Sequence, residues 1–256
     1  MGKINNLKIY QERMYLGMED KLFFLDHIDL DDVETVIDFG CADGVMLSML
    51  PPTWKKIGVD NSEEMLEKAK ENCPEAMYFS SLEEANKEKK GRTLIIFSSV
   101  LHEIYSYLPK SDAHNLWNIV KYSDYNYIVI RDMAYSLSGI SEAKRAEIDP
   151  IRNSDKGYLF ENYHAIFLKK KPKISKNDLV HFLMKYRYTE NWDRECIENY
   201  FALSSNDVLQ LKPYNHELVY FESYTLPYIK ETVKKDFGYE ITLPTHVKYI
   251  SKKVDV

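Results

Sequence analysis

Cysteine is scarce in this chain: its 256 residues hold three, Cys41, Cys73 and Cys196, isolated and odd in number. Neither a disulfide framework nor a zinc site is expected from such a set, so no structural metal is anticipated and a reducing, cytoplasmic setting fits. Long apolar runs are also missing, which excludes a membrane-spanning helix. The start, Met1-Gly2-Lys3-Ile4-Asn5-Asn6, has no signal-peptide core. Asn6 stands where a myristoylation signal needs Ser or Thr. A basic excess is lacking too: 34 Lys and Arg face 40 Asp and Glu, a net charge of −6. Nucleic-acid domains usually carry the opposite balance, so only a local basic patch could serve that role. Internal repeats and low-complexity tracts are absent.

What is present is an ordinary globular composition, 45% hydrophobic and 29% charged, with 20 tyrosines concentrated toward the second half. Residues 8–28 read as a helix. Val33 to Phe39 is a short β-branched run ending at Gly40, a buried strand. Helical residues 43–50 stop at Pro51-Pro52, and Lys56 to Asp60 is a second strand. Asn61 or Ser62 caps a helix with Met65, Leu66 and Ala69 on its apolar side; Ala76 to Phe79 is a third strand. Charged residues 83–92 lead to Thr93 to Phe97, the most apolar strand. Ala113, Leu116, Trp117 and Val120 form a helical stripe, and Tyr127 to Ile130 is a fifth strand. Strands alternating with helices at this interval imply βαβ units and a parallel sheet. Beyond Asp132 the pattern changes. Residues 138–213 are mostly polar and helical, with a stripe at Leu179, Phe182, Leu183 and Tyr186. Strands near 218–221 and 246–251, around a helix near 227–236, form an antiparallel closing pair.

Three features carry chemistry. The turn Asp38-Phe39-Gly40-Cys41-Ala42-Asp43-Gly44 lacks large side chains where a helix would start, so backbone N–H groups can approach a ligand. Asp60, at the end of the next strand and about 20 residues after Gly40, can accept hydrogen bonds from both ribose hydroxyls of an adenosine. A solvated strand-end acid is the ordinary alternative. Third, Phe97-Ser98-Ser99-Val100-Leu101-His102-Glu103 turns polar at the sheet's carboxyl edge, where open α/β sheets bind ligands.

Together these residues resemble class I S-adenosylmethionine-dependent methyltransferases over roughly residues 33–135. The resemblance implies an α/β, Rossmann-like sheet, mostly parallel with an antiparallel closing strand, plus a helical insertion. It implies S-adenosylmethionine as cofactor and S-adenosylhomocysteine as product. Asp38 would approach the methionine moiety; Gly40, Ala42 and Gly44 would form the turn; Asp60 would hold the ribose. Asn61, Ser62 and Met65 are candidates for flanking the adenine, and Ser98 and Ser99 border the cofactor. Two positions depart from the family. Ala42 replaces a common glycine, and Ser80-Ser81-Leu82 stands where an acid usually meets the adenine amino group. Ser81 and Leu82 are the candidates there, with a hydroxyl as a weaker acceptor than a carboxylate. A nicotinamide enzyme would need a third glycine where Val45 stands.

For the acceptor, the strand end reads Ser98-Ser99-Val100-Leu101 rather than an Asn/Asp-Pro-Pro-aromatic motif, which disfavours DNA-base amino methylation. No Pro-Cys pair supplies a cytosine-attacking nucleophile. Ser99 to Ile104 resembles instead the methyltransferases of small molecules and a related wobble-uridine tRNA group. A small-molecule oxygen or nitrogen is the expected acceptor, RNA the second, and a non-catalytic cofactor-binding regulator the third reading. His102 is the candidate base because imidazole titrates near neutrality, with Glu103 next or orienting it. The expected organisation is an N-terminal helical lid at 1–32, a cofactor-binding core at 33–137, a helical acceptor lid at 138–213 and closing strands at 214–256. Tyr10 and Tyr15 on the first lid, and Tyr186 and Trp192 on the second, are the acceptor-contacting candidates. Lys169 to Lys173 is a solvated run or a phosphate-contacting patch.

Overall fold

The computed structural model describes residues 17–254. Tyr10, Tyr15 and the first part of the expected first helix lie outside the described residues. Seven strands form one sheet: β1 (Thr35–Phe39), β2 (Lys55–Val59), β3 (Met77–Phe79), β4 (Thr93–Ser98), β5 (Tyr127–Met133), β6 (His216–Tyr224) and β7 (His246–Lys253). Their order is β3-β2-β1-β4-β5-β7-β6. β1 to β5 pair in parallel, while β7 runs antiparallel to both β5 and β6. The anticipated parallel sheet with an antiparallel closing pair is the observed fold.

The apolar runs explain the layering. β4 is buried along its whole length and β1 and β5 nearly so, as strands covered on both faces must be. Side chains alternate between two cores. Ile37, Ile95, Phe97 and Ile128 meet Leu116, Trp117 and Val120 on one face. Val36, Leu94, Ile96 and Val129 meet Phe24, Val45 and Leu47 on the other. β6 at the edge is largely exposed and bulged between Leu218 and Tyr220, which suits an unpaired border.

Twelve α-helices surround the sheet among the described residues: α1 (Met18–Lys21), α2 (Val45–Ser48), α3 (Glu63–Asn72), α4 (Leu82–Glu88), α5 (Leu101–Tyr107), α6 (Lys110–Tyr122), α7 (Arg145–Arg152), α8 (Gly157–Ile166), α9 (Lys176–Lys185), α10 (Trp192–Glu195), α11 (Ser205–Leu209) and α12 (Pro227–Phe237). None is long and apolar enough to cross a membrane. Three differ from expectation. The described part of the first helix is broken into α1 and a 3₁₀ turn at Phe23–Asp26. The charged stretch at 83–92 hides α4, which is capped by Ser81 and buries only Leu82 and Ala85. α5 starts directly after β4, where no helical period is readable over so few residues.

Helices α7 to α10 build a third core around Phe160, Tyr163 and Phe182, while Val208 of α11 joins the sheet core. This core also contains Ile229, Val233 and Phe237 of α12, so its packing runs past the expected boundary at 213. The reason is periodicity: α12 buries those three residues on one face, and that face meets the insertion. Phe182 is in ring contact with Phe160, Tyr163, Tyr186 and Trp192. Truncation by Phe182→Ala should therefore cost about 3–5 kcal/mol of unfolding free energy, measurable by urea denaturation.

Candidate functional site

The strand order reverses between β1 and β4, whose neighbours then run outward in opposite directions. A cleft opens at the carboxyl ends of such a pair, the usual ligand position of an open α/β sheet. The glycine-containing turn lies there. Gly40 has φ +81, and a Cβ on it would lie 2.6 Å from Val100 Cγ2. Ala42 (φ +45) and Gly44 (φ +72) are also left-handed. Gly44 is the N-cap of α2, and a Cβ there would press on Ala69 at 2.9 Å. The left-handed Ala42 is strained, and something must hold it. Asp60 does: its Oδ2 accepts the Ala42 N–H at 3.0 Å and its Oδ1 accepts the Ser62 N–H at 2.9 Å. Each oxygen keeps a lone pair for another donor. Burial raises the Asp60 pKa against those hydrogen bonds.

Asp38 is buried below this turn. Burial lifts its carboxyl to about 7, Lys21 opposes the shift and the Asp60 charge adds to it. Lys21 was not singled out in the sequence. Burial lowers its ammonium to about 8, and Asp38, Asp43 and Asp132 act on it from the other direction.

Two cavities at this edge share Glu103 as a wall residue. The smaller, about 110 Å³, is lined by Gly40, Asp60, Asn61, Ser80, Glu103 and Tyr107, among others. Gly40, Asp60 and Asn61 thus come together as expected. Ser62 does not point there, because its hydroxyl caps α3 by accepting the Met65 N–H. Met65 is buried on α3. Ser81 is likewise committed to capping α4, and Leu82 belongs to the sheet core. The hydroxyl-bearing wall residue is Ser80, one position earlier. Ser98 is buried at the end of β4 with no partner for its hydroxyl. Ser99 (φ +57) borders the larger cavity, where its Oγ accepts from Arg131 Nη1 at 2.9 Å.

The larger cavity, about 630 Å³, lies between the sheet edge and the insertion. His102 and Glu103 of α5 face Tyr186, Arg194, Glu198 and Tyr200 across it. Tyr186 is part of the wall, with its hydroxyl donated to Asp236 at 2.7 Å. Trp192 is not. Its Nε1 donates to Asn162 and its ring packs on Phe182, so it serves the insertion's own core.

His102 Nδ1 lies 2.8 Å from Asp132 Oδ1, and its Nε2 lies 3.9 Å from Glu198 Oε1. Burial alone would depress the imidazole, but Asp132, Glu198 and Glu103 outweigh it and hold the pKa above the usual value. Asp132 also accepts the backbone N–H groups of Leu101 and Met133, each at 2.7 Å. Its pKa is lowered despite burial because His102 and these donors favour the anion. Sequence reasoning missed Asp132. The signal was Arg131-Asp132 ending an apolar strand, the same break that drew attention to His102. Glu198 carried no local signal.

His102, Glu103 and Glu198 place possible ligand atoms within 4.8 Å of one another. However, Arg194 Nη2 already lies 2.6 Å from Glu103 Oε1 and 3.0 Å from Glu198 Oε1. The guanidinium holds those two oxygens where a metal ion would otherwise draw them together. Glu103 Oε2 has no hydrogen-bond partner and the residue is 7% exposed. Glu103 lines both cavities.

No protein-family model matches the chain, and no curated protein matches it. Solved structures do resemble it. An S-adenosylmethionine-dependent methyltransferase from Anabaena variabilis is 15% identical, with a TM-score of 0.51 over 92% of this chain and 82% of its own. Another from Mesorhizobium loti is 14% identical, with a TM-score of 0.50 over 90% of this chain and 96% of its own. The shared property is the Rossmann-like methyltransferase fold.

The buried Asp38 gives a pH signature. The folded chain holds a proton on it up to about pH 7, whereas the unfolded chain releases it near 3.8. This group's contribution to stability is therefore full below about pH 4 and is lost as pH rises through about 7. Asp38→Asn should stabilise the chain at pH 8 by up to about 4 kcal/mol, with the gain vanishing near pH 4 in urea titrations.

Proposed function

We propose that this protein is an S-adenosylmethionine-dependent methyltransferase acting on an oxygen or nitrogen of a small molecule. One observation carries the reading: the Gly40 turn, clamped by Asp60, borders a cavity that shares the wall residue Glu103 with a second, larger one. The first suits a cofactor and the second an acceptor.

The residues fit the cofactor. A side chain at Gly40 would fill the cradle, and the Asp60 oxygens retain lone pairs for ribose hydroxyls. Asp38 would approach the methionine end, and Lys21 is close enough to act on its charge. S-adenosylmethionine, when bound there, supplies a methyl group already activated on sulfur. The chain's remaining work is to align the acceptor and exclude water. The insertion does this by walling the larger cavity with Leu183, Tyr186 and Tyr200.

His102 is the residue placed to remove a proton from the acceptor. Asp132 fixes its Nδ1 and leaves Nε2 toward the cavity and Glu198. A buried carboxylate in that place orients the ring and stabilises its protonated form. A small acceptor is supported by the bounded cavity. Within the basic stretch, Lys171 and Lys173 pair with Asp178 and Glu142, which reduces its claim as a phosphate-contacting patch.

The test uses the full chain with methyl-labelled cofactor against a metabolite extract and against purified tRNA. Label should appear in a metabolite; label in tRNA alone would sink the small-molecule reading. His102→Ala should lower turnover by about 10²–10⁴-fold while S-adenosylhomocysteine affinity, read by calorimetry, stays within a few-fold. Undiminished turnover in that variant would remove His102 from the chemistry. Cofactor binding without turnover in the wild type would favour a regulator.

A further inference from the structure

The imidazole of His102 has a carboxylate beside each ring nitrogen. Asp132 Oδ1 meets Nδ1 at 2.8 Å, and Glu198 Oε1 lies 3.9 Å from Nε2. Only the first is a hydrogen bond. Asp132 is held ionised despite its burial, so Nδ1 carries the ring proton and donates it there. The neutral ring therefore sets an Nε2 lone pair beside Glu198. It gains an attraction to that carboxylate only by taking up a second proton.

Three consecutive residues register this segment on His102. Next to the Glu198 carboxylate, the Asn199 N–H donates to Ser106 Oγ at 2.7 Å, and that hydroxyl donates to the His102 carbonyl at 2.6 Å. The Tyr200 ring stands edge-on to the imidazole, with centroids 5.2 Å apart and planes at 81°. Other bonds fix the segment from behind. The Tyr200 N–H donates to His181 Nε2 at 2.9 Å, and Lys185 donates to the carbonyls of Glu195 and Glu198. Arg194 Nη2 pairs with Glu198 Oε1 at 3.0 Å.

The other charged groups around the ring are engaged elsewhere. Glu103, on the same helix, turns Oε1 to Arg194 at 2.6 Å, and burial raises its carboxyl. Arg131 of β5 pairs with Asp20, and Lys21 acts on Asp132. Burial pushes His181 of α9 and His246 of β7 far down, so both are neutral.

We propose that Glu198 is a second positioning carboxylate for His102, set beside Nε2 to hold the ring's protonated form once the acceptor's proton has moved there. In that step the O–H or N–H bond of the acceptor breaks and its electron pair stays on the acceptor atom. The proton bonds to the Nε2 lone pair, and the imidazolium then has a carboxylate at each nitrogen. An interaction that grows as the proton moves lowers the barrier, whereas one present throughout only tightens binding. The inference rests on the methyltransferase reading and deepens it by naming the residue that answers the new charge.

The experiment uses the full chain with isotope-labelled histidine, alone and saturated with S-adenosylhomocysteine, and follows the seven histidine signals against pH by NMR. His102→Gln identifies the signal. In the wild type His102 should titrate above free histidine. Glu198→Gln should weaken its proton affinity about tenfold or more while keeping the Nδ1–H tautomer that Asp132 sets. Glu103→Gln should weaken it less. Turnover of methyl-labelled cofactor with a metabolite extract should fall in Glu198→Gln, and its acid limb should move to lower pH. Wild-type His102 titrating at or below free histidine overturns the proposal whether or not the variants fold. So does an unchanged proton affinity in folded Glu198→Gln, or an equal loss in Glu103→Gln. Lower turnover with an unmoved acid limb would mark a purely structural role and equally overturn it. Failure of S-adenosylhomocysteine to bind, with His102 titrating as expected, would instead count against the methyltransferase reading itself.

Discussion

A carboxylate buried at a sheet edge must be met by donors, and the way Asp132 is met organises this site. It lies at the end of β5 with essentially no exposure and takes the first N–H of α5, the N–H of Met133 and the imidazole of His102. Removing one donor from such a group leaves charge uncompensated in a poorly polarisable interior. The contacts therefore act as one constraint. They set α5 on the end of the sheet, and α5 carries both His102 and Glu103.

Asp60 plays the matching part on the other side of β1. It ties the left-handed Ala42 to the end of β2 and so keeps open the small cradle that Gly40 leaves against Val100. The arrangement places Asp38 and Asp60 close enough for each charge to disfavour ionisation of the other, with Lys21 as partial relief. Burial raises both carboxyls, so each acid costs stability when ionised in the folded chain.

The insertion completes what the sheet begins. Its own core around Phe182 makes it firm enough to carry a wall, and α12 joins that core from a later part of the chain. Arg194 and Glu198 then reach back to α5. Lys185 is held over the Tyr200 ring at 4.0 Å and donates to the carbonyls of Glu195 and Glu198, so the segment bearing these acids is fixed in place. The two halves of the chain share a single electrostatic cluster.

Much of this was legible in the sequence where spacing along the chain is also spacing in space. The apolar runs specified the strands, because a strand buried on both faces has no room for polar side chains. The Gly40 turn, Asp60 and His102 were readable because each follows a strand end within four residues. Helices α4 and α5 were not, since too few turns separate their caps for a period to emerge. Ser80 and Ser81 show the limit at single-residue scale: the sequence placed a serine hydroxyl near the smaller cavity, but which serine faces it depends on where α4 starts. The sequence by itself determined the sheet, the turn and the acid that clamps it. Only the tertiary structure decided that Asp132, Glu198 and Arg194, between 30 and 100 residues further along the chain, converge on His102 and Glu103. Local pattern records hydrophobic burial, but the pairing of buried charges is settled by which segments the packing brings together.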